Sequence, residues 1–259
     1  MTADLWSPER YEKFRPEREQ PFYDLLQLVE QRPVRRAVDL GCGTGRLTRE
    51  LHRTLNAEAT VGVDSSPAML ERARSLDEPG LGFVLADMRG WKPDAPFDVV
   101  FCNAALQWID DHHALFRRLR GLVASEGTLA VQMPANFDHP SHTTAASTAL
   151  EQPFSEATGG YTRVAPVLKA EEYAELLYAL GFRDIHVRLQ VYPHELASSS
   201  DVVEWVRGTL LTDYEVRMPA AMFEEYVRRY RERLLGTLGR RQPYLYAFKR
   251  LLLRARAPA

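Results

Sequence analysis

Cysteine is almost missing from this chain: Cys42 and Cys102 are the only two in 259 residues. Two thiols cannot staple a chain of this size, and no Cys/His spacing marks a metal site, so no metal is expected. Long apolar runs are missing as well. None approaches the roughly 20 residues that span a bilayer. The first residues carry Asp4, Glu9, Arg10, Glu12 and Lys13 and no apolar signal core. A dominant charge is missing too. The formal net charge is −2, which gives no global pull towards nucleic acid. The stretch from Asp201 onward is locally basic, but its arginines fall on helix-like sequence and read as solvated faces. These absences predict a cytoplasmic protein in a reducing compartment, without membrane or nucleic-acid partners. What remains, 45% hydrophobic and 26% charged residues, is enough for a packed core.

Glycine is concentrated at one place. Val38-Asp39-Leu40-Gly41-Cys42-Gly43-Thr44-Gly45 places three glycines at alternate positions after a β-prone run. A helix-like pattern, Arg46 to Leu55, follows. Strand, glycine turn and helix together bring backbone N–H groups and a helix N-terminus against a ligand. A dinucleotide fingerprint would place its third glycine where this chain has Arg46. A nucleoside-triphosphate loop would end in Gly-Lys-Ser/Thr, which is not found here. Asp39 disfavours an anion and suits a ligand bearing an ammonium and a sulfonium.

Around that stretch, strands and helices alternate. Strands are predicted at about 35–40, Ala59–Asp64, Gly82–Ala86, Phe97–Cys102 and Gly127–Met133. Helices are predicted at about 46–56, from Ser66-Pro67, and from His112 to Val123. The pattern implies an α/β fold with a parallel, doubly wound sheet. Residues 134–166 are rich in proline and glycine and read as a lid or substrate loop, with a short helix near 143–150. A helix from Lys169 to Leu180 stops at Gly181. A strand at Ile185–Tyr192, helices at 201–211 and 219–238, and a strand at Tyr244–Arg256 complete the chain. Ahead of the first strand, Pro21 opens a helix running to about Gln31, with Phe22, Leu25, Leu26 and Val29 at helical spacing.

Polar residues sit at the ends of four successive strands: Asp39, Asp64, Asp87 and Asn103. Each alone is an ordinary cap or turn residue. Together they line the crevice where open α/β sheets bind ligands. A carboxylate at Asp64 suits a ribose diol. Asp87, or the backbone of Met88, suits an adenine edge.

At these residues the sequence resembles the class I S-adenosylmethionine (SAM) dependent methyltransferases, and more narrowly the trans-aconitate 2-methyltransferase family. Val38–Gly45 and Gly62-Val63-Asp64-Ser65-Ser66-Pro67-Ala68-Met69 carry the general resemblance. Asn103-Ala104-Ala105-Leu106-Gln107-Trp108 and Val131-Gln132-Met133-Pro134 carry the narrower one. The resemblance implies a Rossmann-like domain over 1–259 with a mostly parallel seven-stranded sheet and helices on both faces. It implies an N-terminal helical cover at 1–32 and cap or lid insertions at 134–168 and 196–242. It assigns the cofactor to Tyr11, Arg18, Asp39, Gly41, Gly43, Gly45, Asp64, Ser65, Met69, Asp87, Met88 and Asn103. The family often reads Gly-Leu-Arg-Pro after its Trp-Val helix. This chain has Leu210-Leu211-Thr212-Asp213 there.

The expected activity is methylation of a small-molecule acid at a carboxylate. An ionised carboxylate needs no general base, and no triad is present. Gln107, Trp108 and His112 are the positioning candidates, and Gln107, Trp108 and Arg207 the candidates for contacting substrate. Three of them have a plainer alternative: core packing for Trp108, a helix-start or surface histidine for His112, and surface solvation or a bond to Glu204 for Arg207. Transfer to a hydroxyl, nitrogen or carbon, or SAM binding without transfer, are the alternative functions.

Overall fold

The fold is taken from a computed structural model, which describes residues 15–259 apart from Gln31 and Asp77. Among the described residues, seven strands form one sheet in the order β3-β2-β1-β4-β5-β7-β6. They are β1 (Arg36–Leu40), β2 (Ala59–Asp64), β3 (Leu81–Leu85), β4 (Phe97–Asn103), β5 (Val123–Pro134), β6 (Arg183–Leu196) and β7 (Tyr244–Arg256). The five strands from β3 to β5 are parallel, and β7 runs antiparallel to β5. The expected mostly parallel, seven-stranded α/β sheet is therefore found.

The order follows from burial. In β4 the four consecutive residues Val99, Val100, Phe101 and Cys102 are fully buried. A strand of that kind needs cover on both faces, which a central position provides. β3 lies at the edge and leaves Val84 and Leu85 exposed. The helices of this part are α1 (Arg15–Leu26), α2 (Arg46–Leu55), α3 (Pro67–Ala73) and α4 (His112–Leu122). Phe22 of α1 packs edge-on against Phe101 with ring centres 5.3 Å apart. Ser66 caps α3 by accepting the Met69 N–H at 3.2 Å, with Pro67 at the first turn.

Two compact units emerge from the chain contacts. The sheet unit comprises Arg18–Ala135, Pro166–Gln190 and Arg250–Ala259. Its core runs through Val38, Leu40, Val63, Phe116, Leu129 and Val131. The other unit includes Asn136–Ala165 and Val191–Lys249 and is mainly helical. It contains α5 (Pro140–Ala149), α6 (Phe154–Thr158), α8 (Asp201–Arg207), α9 (Thr212–Glu215) and α10 (Ala220–Leu238), while α7 (Ala170–Ala179) belongs to the sheet unit. The helical core is aromatic. Tyr226 and Tyr230 are fully buried and donate their hydroxyls to the carbonyls of Ala145 and Ser141, at 2.9 and 3.0 Å. Those bonds let phenols replace aliphatic residues there.

Several boundaries differ from the sequence expectation: α1 spans Arg15–Leu26 with Pro21 inside it, where a helix from Pro21 to about Gln31 is expected. Within residues 134–166 the short helix expected near 143–150 is found as α5, and a second helix, α6, was not expected. The helix expected at 201–211 stops at Arg207, where Gly208 follows, and resumes as α9. β5 starts at Val123 rather than Gly127, since Glu126 takes a left-handed φ of +58° and the ladder shifts register instead of ending. β6 is longer than 185–192 and carries Pro193, which an edge strand tolerates. α7 does end at Gly181, whose φ is +81° and whose N–H meets the Tyr178 carbonyl.

Candidate active site

The glycine stretch forms the turn between β1 and α2. Gly41 and Cys42 both donate their N–H to the Val63 carbonyl, at 2.8 and 3.1 Å, so the turn is anchored on β2. Gly41, Gly43 and Gly45 all have positive φ, at +80°, +56° and +75°. Side chains resist that region, which explains the alternating glycines. Arg46 opens α2 and pairs with Glu19 of α1.

Asp64 ties the first two loops together. One carboxylate oxygen accepts the Gly43 N–H at 2.8 Å, and the other accepts the Ser66 N–H at 2.9 Å. Ser65 is exposed and Met69 half-buried. Asp39 is 4% exposed and accepts the Thr48 hydroxyl at 2.7 Å. Burial raises its pKa to about 7, with Asp64 adding a smaller push. Asp87 is exposed and held by Arg89, through both its backbone N–H and its guanidinium, which lowers the carboxyl pKa. The Met88 carbonyl accepts from Arg118 Nε at 2.9 Å.

β4 ends at Asn103, and the chain turns sharply there. Ala104 takes a φ of +56°, rare for a residue with a side chain, and its N–H is held by the Gln132 carbonyl at 2.9 Å. Asn103 Oδ1 is buried and has no hydrogen-bond partner among the described residues. Leu106–Trp108 forms one 3₁₀ turn. Within it the buried Gln107 donates to the Ala104 carbonyl at 2.7 Å, and Trp108 is half-buried.

His112 starts α4 and is 2% exposed, so it is not a surface histidine. Nε2 meets the Leu106 carbonyl at 3.1 Å and must donate to it; Nδ1 therefore accepts from the Tyr173 hydroxyl. Tyr173 oxygen accepts the Leu168 N–H at 3.2 Å. Burial lowers the His112 pKa. Both ring nitrogens are thus engaged by protein, and the histidine braces the Leu106–Trp108 turn. Arg207 lies in the helical unit and donates to Glu224 at 2.5 Å, while Glu204 pairs with Arg231. Thr212 donates to the Thr209 carbonyl, and Asp213 is paired with Arg163. Tyr11, the Arg18 side chain and residues 1–14 of the expected 1–32 cover lie outside the described residues.

Asp39, Gly41, Gly43, Gly45, Asp64, Asp87, Met88, Asn103, Gln107, Trp108 and His112 all belong to the sheet unit, at the carboxyl ends of β1 to β4. A buried acid, a glycine turn with no room for a side chain at Gly41, a carboxylate bridging two loops and an orphaned amide oxygen suit a ligand that carries positive charge. Gln132 entered the sequence reading only as part of a family-like segment, and neither it nor Arg250 was named there as a site residue. A signal was available for Gln132, a polar residue that directly follows the buried apolar run Leu129-Ala130-Val131.

Comparison with known proteins agrees with this geometry. Residues 37–127 match the family model of a methyltransferase domain. Trans-aconitate 2-methyltransferase of Deinococcus radiodurans is 39% identical over 259 residues, covering 98% of each chain. That of Sinorhizobium medicae is 40% identical over 230 residues, covering 88% of this chain and 89% of its own. Among solved structures, the N-methyltransferase NodS of Bradyrhizobium japonicum, in complex with S-adenosylhomocysteine (SAH), superposes with a TM-score of 0.54. It shares 14% identity, with 100% of this chain and 94% of that one covered. The chain belongs to the class I SAM-dependent methyltransferases, in the trans-aconitate 2-methyltransferase family.

Proposed function

We propose that the protein methylates a carboxylate of a small acid resembling trans-aconitate. The observation that carries this is the similarity, over nearly the whole chain, to enzymes bearing that name. Bound in the cleft, SAM would supply an electrophilic methyl group on a sulfonium. Asp39 and the Gly41–Gly45 turn would hold its methionine end, Asp64 its ribose, Asp87 and Met88 its adenine, and Asn103 the side nearest the sulfonium. That methyl group would pass to an acceptor carboxylate oxygen that is already ionised, and the residues of the cleft would only have to hold the two in line. A negative and a positive charge cancel and no proton moves, so no general base is needed. What the protein contributes is alignment and exclusion of water, worth about 7–11 kcal/mol in well-oriented systems. His112 fits this reading, since both its nitrogens are spent on structure.

We read the chain as one methyltransferase domain over 1–259 whose segments 134–168 and 196–242 select the acceptor. The free, buried thiols of Cys42 and Cys102 support a cytoplasmic location. The test is incubation of the purified protein with SAM and trans-aconitate, with the product read by mass spectrometry. A monomethyl ester is expected. SAM turnover with a hydroxyl or amine acceptor, and none with acids, would overturn the carboxyl reading.

Asp39 makes cofactor affinity depend on pH. Its pKa of about 7 lies above that of a free aspartate because burial penalises the charged form. A cationic ligand favours the ionised form, so SAM affinity should rise between pH 6 and 8, by up to about tenfold per unit below the pKa. In the ligand-free protein the sign is opposite. The stability tied to Asp39 is full below the unfolded pKa near 4 and is lost as pH rises through 7. Calorimetry on wild type and Asp39→Asn checks this, with a flattened affinity profile expected for the variant.

A further inference from the structure

Three buried polar side chains occupy one face of the sheet. Asn103 pairs with Gln132 across β4 and β5, and Pro134 pairs with Arg250 across β5 and β7. Residues two apart on a strand share a face, so Asn103, Gln132 and Arg250 stand in a row there. Asp39 belongs to the same face, since it pairs with Phe101, two residues before Asn103. Gln132 is fully buried and Arg250 only 4% exposed. Arg250 donates to Gln132 Oε1 at 3.5 Å. Gln132 Nε2, like Asn103 Oδ1, is buried with no hydrogen-bond partner among the described residues.

Strands of protein interiors seldom hold such groups without a purpose, because a buried amide N–H needs an acceptor. The row has a direction. At β4 it offers an acceptor, Asn103 Oδ1, towards the side assigned to the sulfonium. At β5 it offers a donor, the Gln132 amide, with the positive charge of the Arg250 guanidinium beside it on β7. The β4-to-β7 step spans two strand spacings, roughly 10 Å, which is the scale of a small polycarboxylic acid.

We propose that Arg250, steadied by Gln132, binds a carboxylate of the acceptor that does not react, so that the substrate must carry at least two. This rests on the carboxyl-methylation reading above. A guanidinium on the reacting carboxylate would oppose transfer, because that oxygen loses its charge in the transition state. A second carboxylate keeps its charge throughout, and Arg250 can hold it equally in ground and transition states. The guanidinium that this chain does not have at Thr212 is thereby supplied from the sheet.

Uniform binding of that kind acts on KM and spares kcat. Arg250→Met should raise KM for trans-aconitate about 100-fold, with kcat and SAH affinity changed less than about threefold. Arg250→Lys should recover part of the loss, because it restores the charge without the fork. A diester of trans-aconitate that keeps one free carboxylate should be a poor substrate of wild type, and Arg250→Met should remove the preference for the triacid. Calorimetry of trans-aconitate binding to the SAH complex gives the same answer without turnover. If Arg250→Met does not fold, Gln132→Leu carries the test, with an expected loss of about tenfold in acceptor affinity. An unchanged preference for the triacid in a variant that still binds SAH would overturn the proposal. Wild type that binds SAH but methylates no acid would overturn the carboxyl reading itself, and this proposal with it.

Discussion

Gly41→Ala is expected to abolish SAM binding at micromolar cofactor while the protein remains folded. A Cβ built on Gly41 would lie 2.3 Å from the Cβ of Ala105 and 3.4 Å from the end of Met88. Carbon atoms in contact prefer about 3.5–4.0 Å, so the β1 turn or the post-β4 turn must move by more than an ångström. Neither moves freely. Gly41 is tied to the Val63 carbonyl, and Ala105 follows the left-handed Ala104, whose N–H is tied to Gln132. The backbone adds its own cost, since φ is +80° at Gly41 and the left-handed region costs about 1–2 kcal/mol for a residue with a side chain. Gly43→Ala is the internal control. It pays a similar backbone cost, but a Cβ there would meet nothing within 4 Å. About a 5–30-fold loss of SAH affinity is expected for Gly43→Ala, and more than about 100-fold for Gly41→Ala. Adding Ala105→Gly removes the atom in conflict and should recover part of the Gly41→Ala loss. Calorimetry with SAH, alongside thermal melting, reads all three. Equal losses for the two alanine variants would show that crowding against Ala105 is not what matters.

Asp64→Ala is the second large effect, with SAH affinity expected to fall about 100-fold. Both carboxylate oxygens are in use, one on Gly43 N–H and the other on Ser66 N–H. Hydrogen bonds to a charged group are worth about 1.5–3 kcal/mol each. Water recovers part of that at a half-buried site, which leaves roughly 2.8 kcal/mol, or a hundredfold. Asp64→Asn separates charge from shape. Its amide presents N–H to a backbone N–H on one side, so one loop is released and the other kept. An intermediate loss is expected. If Asp64→Asn binds SAH as wild type does, the carboxylate is not bridging the loops in solution.

Much of the cofactor half was legible in the chain because its signals are local. Alternating apolar runs, Gly41, Gly43 and Gly45, the Ser66-Pro67 start and the acids at strand ends each depend on neighbours a few residues away. The helical unit was harder to read. α5 and α6 are held by buried tyrosines from Tyr214 to Tyr246, contacts made across sequence distances that no window of periodicity covers. The break after Arg207 and the long edge strand β6 are of the same kind, since propensity was overruled by position in the fold. His112 shows the difference in one residue. Its place at a helix start was readable, but its burial and its bond to Tyr173, 61 residues away, were not.

The sequence by itself determined the succession of strands along the chain, the glycine turn and the charge character of the ligand it accepts, because those rest on local sterics and on which residue types stand at strand ends. Only the tertiary structure decided that Asp64 bridges two loops, that His112 is a brace with no proton to trade, and that Asn103, Gln132 and Arg250 share one face. Pairing register brings together residues as far apart as 103 and 250, and burial then sets how strongly each must find a partner.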